Sequence, residues 1–230
     1  MRWDGTGGAS AQRGTPARLP HALVRIPQIA ALALVLALPL PARAQQGPEE
    51  TVKQVSEDVL QIVKTDPRVQ AGDRARIREV IDTKLAPHFD FERMTALATG
   101  RGWRQATPEQ KTALIDQFRT LLERTYSNAF VQYRDQTIRY KPVHLAPDAT
   151  DATVHTEIVR GGGGQPVQID YSLEKKDGQW KAYDVIVGGV SLVTTYRDEF
   201  QRQIEQGGID GLVRSLQAKN AAPPPPPPVK

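Results

Sequence analysis

The side chains that could perform metal or nucleophilic chemistry are few and widely spaced in this 230-residue chain. Of its four histidines, His88, His144 and His155 follow the first fifty residues, and none lies within a short metal-ligand spacing of another. There is no cysteine, no H-E-x-x-H pattern and no G-x-S-x-G nucleophile elbow. We therefore expect neither a metal centre nor a catalytic nucleophile. His155 falls on the polar phase of a predicted strand, where we expect it to be solvated.

Asp184 is the carboxylate whose position most suggests catalysis. It interrupts the apolar residues of a predicted strand between Trp180 and Ile186, and Tyr171 and Tyr183 are possible neighbours. Small cone-shaped enzymes such as ketosteroid isomerases place a carboxylate and tyrosines in an apolar cavity, where desolvation raises a carboxyl pKa. The alternative is that Asp184 accepts structural hydrogen bonds at a helix terminus or strand end. We favour this alternative because buried polar groups are usually satisfied structurally.

Ser191 could contribute to an anion site. It follows Gly188 and Gly189 and opens a predicted helix, so the backbone amides there could bind a phosphate group. Serine is also a preferred helix N-cap, and we favour that simpler role. The glycine run at residues 161–164 lacks the following Lys-Ser/Thr and helix of a phosphate loop, so we interpret it as a hairpin connection.

The elements that would position these side chains begin with four predicted helices. The first follows the apolar residues at 52–62, which recur at helical spacing. Asp73 and Asp90 are placed to cap the second and third helices, which end near Pro87 and Gly100.

The fourth predicted helix has the clearest start signal in the chain. Thr107 is an N-cap, Pro108 takes the first helical position, and Gln110 completes a capping box. An apolar stripe with several aromatic residues then extends from Leu114 to Tyr133. We expect this long stripe to face the interior.

The hydrophobic period then changes to two, which predicts an antiparallel sheet with one buried face. Four strands are expected, at residues 138–142, 154–158, 167–173 and 180–187. Hairpin connections are expected at residues 161–164 and at Asp177-Gly178.

Two further helices are predicted after the sheet. Gly207 and Gly208 end the first, and Asp210 is placed to cap the second. The order of four helices, four strands and two helices predicts an α+β fold.

The first 44 residues have the pattern of a secretory signal peptide. Residues 29–40 are all apolar or proline, which is too short for a transmembrane helix, and Arg25 and Ala42-Arg43-Ala44 flank them. We expect export to the periplasm and cleavage after Ala44. This segment contains five arginines and one aspartate of the chain's 30 basic and 26 acidic residues, so 25 of each remain. The remaining chain lacks the net positive charge typical of a nucleic-acid binder.

The other end of the chain, residues 221–230, is predicted to be a disordered proline-rich tail. Six consecutive prolines at residues 223–228 favour an extended polyproline II segment. Such a segment could be a spacer or docking peptide, but a tail without a specific role is the simpler interpretation. The expected organisation is a signal peptide at 1–44, one domain at 45–220 and this tail.

Two sequence blocks resemble a known family. One is residues 188–193 followed by Tyr196 and Phe200, and the other is residues 103–110 followed by the stripe that contains Phe118. In this order, with strands between them, they resemble the periplasmic phospholipid-shuttle family called MlaC, the toluene-tolerance auxiliary component of an ABC transport system. The resemblance extends from about Val52 to Leu216.

This resemblance implies a non-catalytic, monomeric carrier without a cofactor. It implies a curved four-stranded sheet, similar to half of the nuclear-transport-factor cone, packed with about six helices around an apolar cavity. The cavity would hold the acyl chains of a phospholipid and leave the head group near solvent. The implied lining residues are Phe118, Leu121, Leu122, Tyr126, Phe130, Val154, Ile158, Val167, Ile169, Tyr171, Val185, Val187, Tyr196 and Phe200.

The resemblance also implies two membrane partners. These are the substrate-binding ring of an inner-membrane ABC transporter and an outer-membrane lipoprotein–porin complex, between which the carrier would move lipid. Arg139, Lys141 and Arg160 lie at or near predicted strand ends and are candidate docking residues. Two alternatives stay open: a cone-fold enzyme that uses Asp184, and a carrier of hopanoids or other lipids.

Overall fold

The structure is a computed structural model, and it describes residues 46–127, 136–160 and 165–222. Within these ranges the chain has seven α-helices and a five-stranded antiparallel sheet, so the predicted α+β class is confirmed. No helix in these ranges combines the length and apolar character that crossing a membrane requires.

Three helices at the start of the described chain form a small unit with its own core. They are α1 (Pro48–Thr65), α2 (Pro67–Gln70) and α3 (Arg74–Val80). Asp66 caps α2 and Asp73 caps α3, each by accepting two backbone N–H bonds. The core of the unit consists of Val63, Val69, Ile77, Val80 and Ile81.

The chain next changes its helical pitch twice. A π-helical turn (Ile81–Leu85) follows α3 directly, and a 3₁₀ turn (Ala86–His88) follows the π turn. The predicted second helix therefore includes an irregular end before it reaches Phe89. Such changes of pitch within a helix are often found at functional sites.

Helices α4 (Phe91–Thr99), α5 (Arg101–Gln105) and α6 (Pro108–Tyr126) come next. The Asp90 carboxylate caps α4, as predicted. The capping box at Thr107 and Gln110 is present at the start of α6. Helix α6 ends at Tyr126 with Ser127 as its C-cap, and the rest of the predicted stripe, up to Tyr133, lies outside the described residues. Helix α5 was not predicted.

The sheet is a meander in the order β1-β2-β3-β4-β5. Its strands are β1 (Gln136–Tyr140), β2 (Asp151–Arg160), β3 (Val167–Lys176), β4 (Gln179–Val187) and β5 (Val190–Ser191). The first four match the predicted strands, and the two-residue β5 adds a fifth. The pairing of β3 with β4 shifts between Ser172 and Leu173, which leaves Tyr183 as an extra residue on β4.

The last helix, α7 (Leu192–Ala221), is broken at Gly208, whose φ of 66° and ψ of −172° are not helical. The two predicted helices are therefore two halves separated by this break. Ser191 caps the first half by accepting the Thr194 N–H at 3.0 Å. The Asp210 carboxylate accepts a hydrogen bond from the Gln110 side chain at 2.7 Å, so it joins α7 to the capping box of α6.

Two main hydrophobic clusters hold these layers together. One lies among α4, α6 and α7, where the ring of Phe118 meets those of Phe200 and Tyr196 edge to face at 5.2 Å. The other lies between α1 and the apolar face of the sheet and includes Val154 and Leu173.

Candidate functional site

Among the cavities lined by the residues that the structure describes are two apolar ones, and the larger of these has a volume of about 140 Å³. It lies where the π turn, α4, the end of α6, β4 and the start of α7 approach one another. Apolar side chains dominate its walls, and Glu123 and Ser127 also contribute. Its main lining residues are Ile81, Phe91, Met94, Leu122, Tyr126, Val185 and Leu192.

The smaller cavity has a volume of about 60 Å³ and lies between α1 and the sheet. Its lining includes Val52, Val55, Ser56, Tyr171, Leu173 and Ala182. Tyr171 and Val185 are directly opposite each other on β3 and β4. The two cavities therefore lie side by side over the same face of the sheet.

Leu85 and Phe89 line both cavities and separate them. The backbone of Phe89 forms a parallel bridge with Ala182 on β4, and the Asp90 N–H donates to the Ala182 carbonyl at 2.8 Å. The ring of Phe89 stacks on that of Phe91, with centroids 5.9 Å apart. Phe89 is therefore anchored to the sheet, whereas Leu85 belongs to the irregular helical segment.

Burial favours the neutral form of two tyrosines and one histidine that line the cavities. Burial raises the pKa of Tyr171 to about 12, and burial with the neighbouring Tyr196 raises the pKa of Tyr126 to about 12. Burial and the positive charge of Lys181 lower the pKa of His88, which lines the smaller cavity. These walls suit an uncharged, apolar guest rather than an ion.

The structure brings four of the predicted lining residues to these cavities. Leu122, Tyr126 and Val185 line the larger cavity and Tyr171 lines the smaller one. Four others, Ile158, Val167, Ile169 and Val187, continue the same apolar strand phase but line neither cavity. The first three are partly buried and Val187 is exposed.

The remaining predicted lining residues line neither of these two cavities. Phe118, Val154 and Phe200 are completely buried in the two hydrophobic clusters. Leu121 and Tyr196 pack against the cluster among α4, α6 and α7. Phe130 lies outside the described residues.

The candidate docking residues lie on and next to the sheet. Arg139 is exposed on β1, and the Lys141 ammonium lies 2.7 Å from the carboxylate of Glu157 on β2. Neither residue lines the two cavities. Arg160 is the last residue of β2, and its side chain is not described.

Asp184 and His155, which the sequence analysis considered for catalysis or metal binding, make contacts with neighbouring residues of the fold. The Asp184 carboxylate accepts hydrogen bonds from the Ser191 hydroxyl and from the Val185 and Val193 N–H groups. It lines neither cavity. His155 is half-exposed, with Nδ1 2.9 Å from a carboxylate oxygen of Asp170. In the part of the chain that the structure describes, no group of three His, Cys, Asp or Glu side chains could hold a metal.

Sequence reasoning missed the residues that separate the cavities. Leu85 has the spacing of an ordinary core residue on the second predicted helix, and Phe89 lies between two predicted helices. The proximity of Pro87 signalled the end of a helix, but it gave no indication of a wall between two cavities.

The fold and this site define an α+β binding protein with an apolar interior. The model of the family described as "MlaC protein" matches residues 53–218. Because this match covers most of the chain, the protein belongs to the MlaC family.

Two curated proteins and one solved structure are similar to it. The toluene tolerance protein ttg2D of Pseudomonas putida is 28% identical over 180 residues, which cover 78% of this chain and 83% of that protein. The intermembrane phospholipid transport system binding protein MlaC of Haemophilus influenzae is 22% identical over 184 residues, covering 79% and 86% respectively. A phospholipid-binding protein from Ralstonia solanacearum, solved in complex with a phospholipid, is 40% identical and has a TM-score of 0.71. The match covers 76% of this chain and 98% of that chain.

Proposed function

We propose that this protein is a non-catalytic carrier that shields the acyl chains of a phospholipid between its sheet and its helices. The observation that carries the proposal is the pair of adjacent apolar cavities over one face of the sheet, which share Leu85 and Phe89 as lining residues. The similarity to a protein solved with a bound phospholipid supports the same cargo.

The energetics of acyl chains favour transfer between docked partners over free release. Burial stabilises each CH₂ group by about 0.8 kcal/mol, so two chains of roughly 16 carbons represent on the order of 25 kcal/mol against water. Spontaneous release into water would then be too slow for transport. We therefore propose that release requires a docked partner that offers a second apolar site.

The proposed partners and location follow from the family. The carrier would be exported to the periplasm, lose its leader after Ala44 and act as a soluble monomer. It would exchange lipid between the substrate-binding ring of an inner-membrane ABC transporter and an outer-membrane lipoprotein–porin complex. The relative named as the binding protein of an intermembrane phospholipid transport system supports this placement. Intact-mass measurement of exported protein tests it, because a retained leader would contradict a soluble carrier.

The position of Asp184 does not support the alternative of a cone-fold enzyme. Asp184 uses its carboxylate to join β4 to α7 and lines neither cavity, so it is not placed as a general base for a bound guest. A hopanoid or another lipid would still suit the apolar walls, and cargo identity decides between these carriers.

Mass spectrometry of an organic extract of the purified protein tests the proposal directly. Protein purified from the exported fraction of its host, without detergent, should contain phospholipid at near-stoichiometric amounts. A hopanoid in the extract would correct the cargo, and an extract without lipid would contradict the carrier. Heat-denatured protein that is re-exposed to the same membranes controls for nonspecific adsorption.

A further inference from the structure

The two cavities are too small, as they stand, for the proposed cargo. Their volumes of about 140 and 60 Å³ are each below the roughly 300–1,000 Å³ of ordinary ligand pockets. Even taken together they stay below that range. A diacyl lipid can therefore fit within these two cavities of the described residues only if part of their lining moves.

The wall between the cavities consists of one anchored residue and one residue on an irregular segment. Phe89 is held by the backbone bridge to Ala182 and by its stacking on Phe91. Leu85 ends the π turn and directly precedes the 3₁₀ turn, and its side chain is only partly buried. Displacing Leu85 would connect the larger cavity to the smaller one.

The surroundings of Leu85 allow such a displacement. Leu85 packs against the edge of the core of the α1–α3 unit and belongs to neither of the two main hydrophobic clusters. Arg119 of α6 pairs with Asp82 of the π turn and, within α6, with Glu123. Displacing the Leu85 side chain alone would connect the two cavities without opening either main cluster.

We propose that Leu85 and Phe89 determine how many acyl chains the protein holds. They divide one binding space into two arms, one chain enters each arm, and Leu85 moves aside to admit the second chain. This proposal rests on the proposed function as a lipid carrier. It assigns the first chain to the larger arm, which Val185 lines, and the second chain to the smaller arm, which Val55 lines.

The test blocks each arm separately in the full chain after delipidation. Val55→Trp fills the smaller arm and Val185→Trp fills the larger one. Gln54→Trp is the matched control, because Gln54 is the exposed neighbour of Val55 on α1. Each variant is offered dioleoyl phosphatidylglycerol or oleoyl lysophosphatidylglycerol, which share a head group and differ in the number of chains. Bound lipid is counted by native mass spectrometry after gel filtration.

We expect Val55→Trp to lower diacyl loading at least tenfold and to leave lysolipid loading within twofold of wild type. Val185→Trp should lower the loading of both lipids, and Gln54→Trp should lower the loading of neither. The division into arms is overturned if Val55→Trp retains the diacyl lipid, or if it loses both lipids while the wild type binds both. A wild-type protein that takes up neither lipid contradicts the carrier itself, so the two failures are distinguishable.

A second variant removes part of the wall instead of filling a cavity. It therefore does not require the fold to accommodate a new tryptophan. Leu85→Ala should raise the rate of diacyl uptake about fivefold relative to the rate of lysolipid uptake. Leu145→Ala, which truncates an exposed leucine, is the control. Diacyl uptake by Leu85→Ala at the wild-type rate would overturn the role of Leu85.

Discussion

The carboxylate of Asp184 accepts a hydrogen bond from the Ser191 hydroxyl at 2.5 Å, and this contact fastens the end of β4 to the first turn of α7. The same carboxylate accepts the Val193 N–H at 3.2 Å, inside the helix that Ser191 caps. Asp184 thus connects a strand that lines both cavities to a helix that lines the larger one. Its role is to fix the position of the cavity walls.

Replacing Asp184 should therefore affect stability rather than chemistry. We expect Asp184→Ala to lower the free energy of unfolding by about 1–3 kcal/mol, because partly buried donors lose their acceptor. Denaturant titration measures this change, and Asp198→Ala, at an exposed position on α7, is the control. Unchanged stability of Asp184→Ala would contradict the structural role.

The cavity and the solid core should respond differently to an added side chain. Val185 lines the larger cavity, whereas Val154 is completely buried and lines neither cavity. Overpacking a core typically costs about 1–3 kcal/mol, so Val154→Trp should lower the melting temperature clearly. Val185→Trp should cost little stability in delipidated protein and should expel lipid. Thermal melting and phosphorus content measure the two effects, and a strongly lowered melting point for Val185→Trp would show that its surroundings are core.

Local sequence signals predicted the elements whose ends depend on neighbouring residues. The caps at Asp73, Asp90 and Thr107 and the alternation along β2 to β4 each follow from contacts within a few residues or across one hairpin. The π turn was not predictable in this way, because Ile81–Leu85 contains no glycine or proline that would mark a change of pitch. Helix α5 was not predicted either, and its buried Gly102 packs closely against Ile204 of α7.

The position of the cavity was only partly predictable, because periodicity identifies a face but not what covers it. Phe118 and Leu122 lie one turn apart on the same stripe of α6. Phe118 packs against Phe200 in the core, whereas Leu122 reaches the larger cavity. Only the tertiary arrangement of α4, α7 and the π turn distinguishes these two positions.

The ion pair between Asp90 and Lys176 should make stability depend on acid pH. The Asp90 carboxylate is almost completely buried and lies 2.6 Å from the Lys176 ammonium. Burial alone would raise the pKa of Asp90, but hydrogen bonds from Lys176 and the Arg93 N–H outweigh it and lower that pKa below its usual 3.8. Because the pKa of Asp90 is lower in the folded protein than in the unfolded chain, the stabilisation by this ion pair is complete well above pH 4. It is lost as the pH falls through the pKa that Asp90 has in the folded protein.

We expect Lys176→Met to lower the free energy of unfolding by about 1–2 kcal/mol at pH 7. The difference from wild type should narrow as the pH falls from about 5 to about 2, because a protonated Asp90 no longer attracts the ammonium. Denaturant titrations at several pH values measure this, with the exposed neighbour Lys175→Met as the control. A difference that stays constant with pH would contradict the assignment to this pair.

The last prediction concerns docking through the charged residues on and beside the sheet. Charge reversal to Glu at Arg139, Lys141 and Arg160 should slow lipid transfer to the membrane partners and weaken its salt dependence, because complementary charges mainly steer association. Lys141 already pairs with Glu157, so we expect its share of the effect to be smaller than that of Arg139. Lipid content should not change, since neither Arg139 nor Lys141 lines a cavity.

A control variant with the same change in net charge separates local docking from overall charge. It carries the same reversal at three exposed basic residues on the helices, Lys64, Arg78 and Arg101. Transfer of a fluorescent phospholipid to purified partner complexes is followed at low and high salt for both variants. If docking is local, only the variant on the sheet side slows, because net charge is equal in the two proteins. Equal slowing of both would assign the effect to overall charge, and wild-type rates in both would remove these three residues from the docking surface.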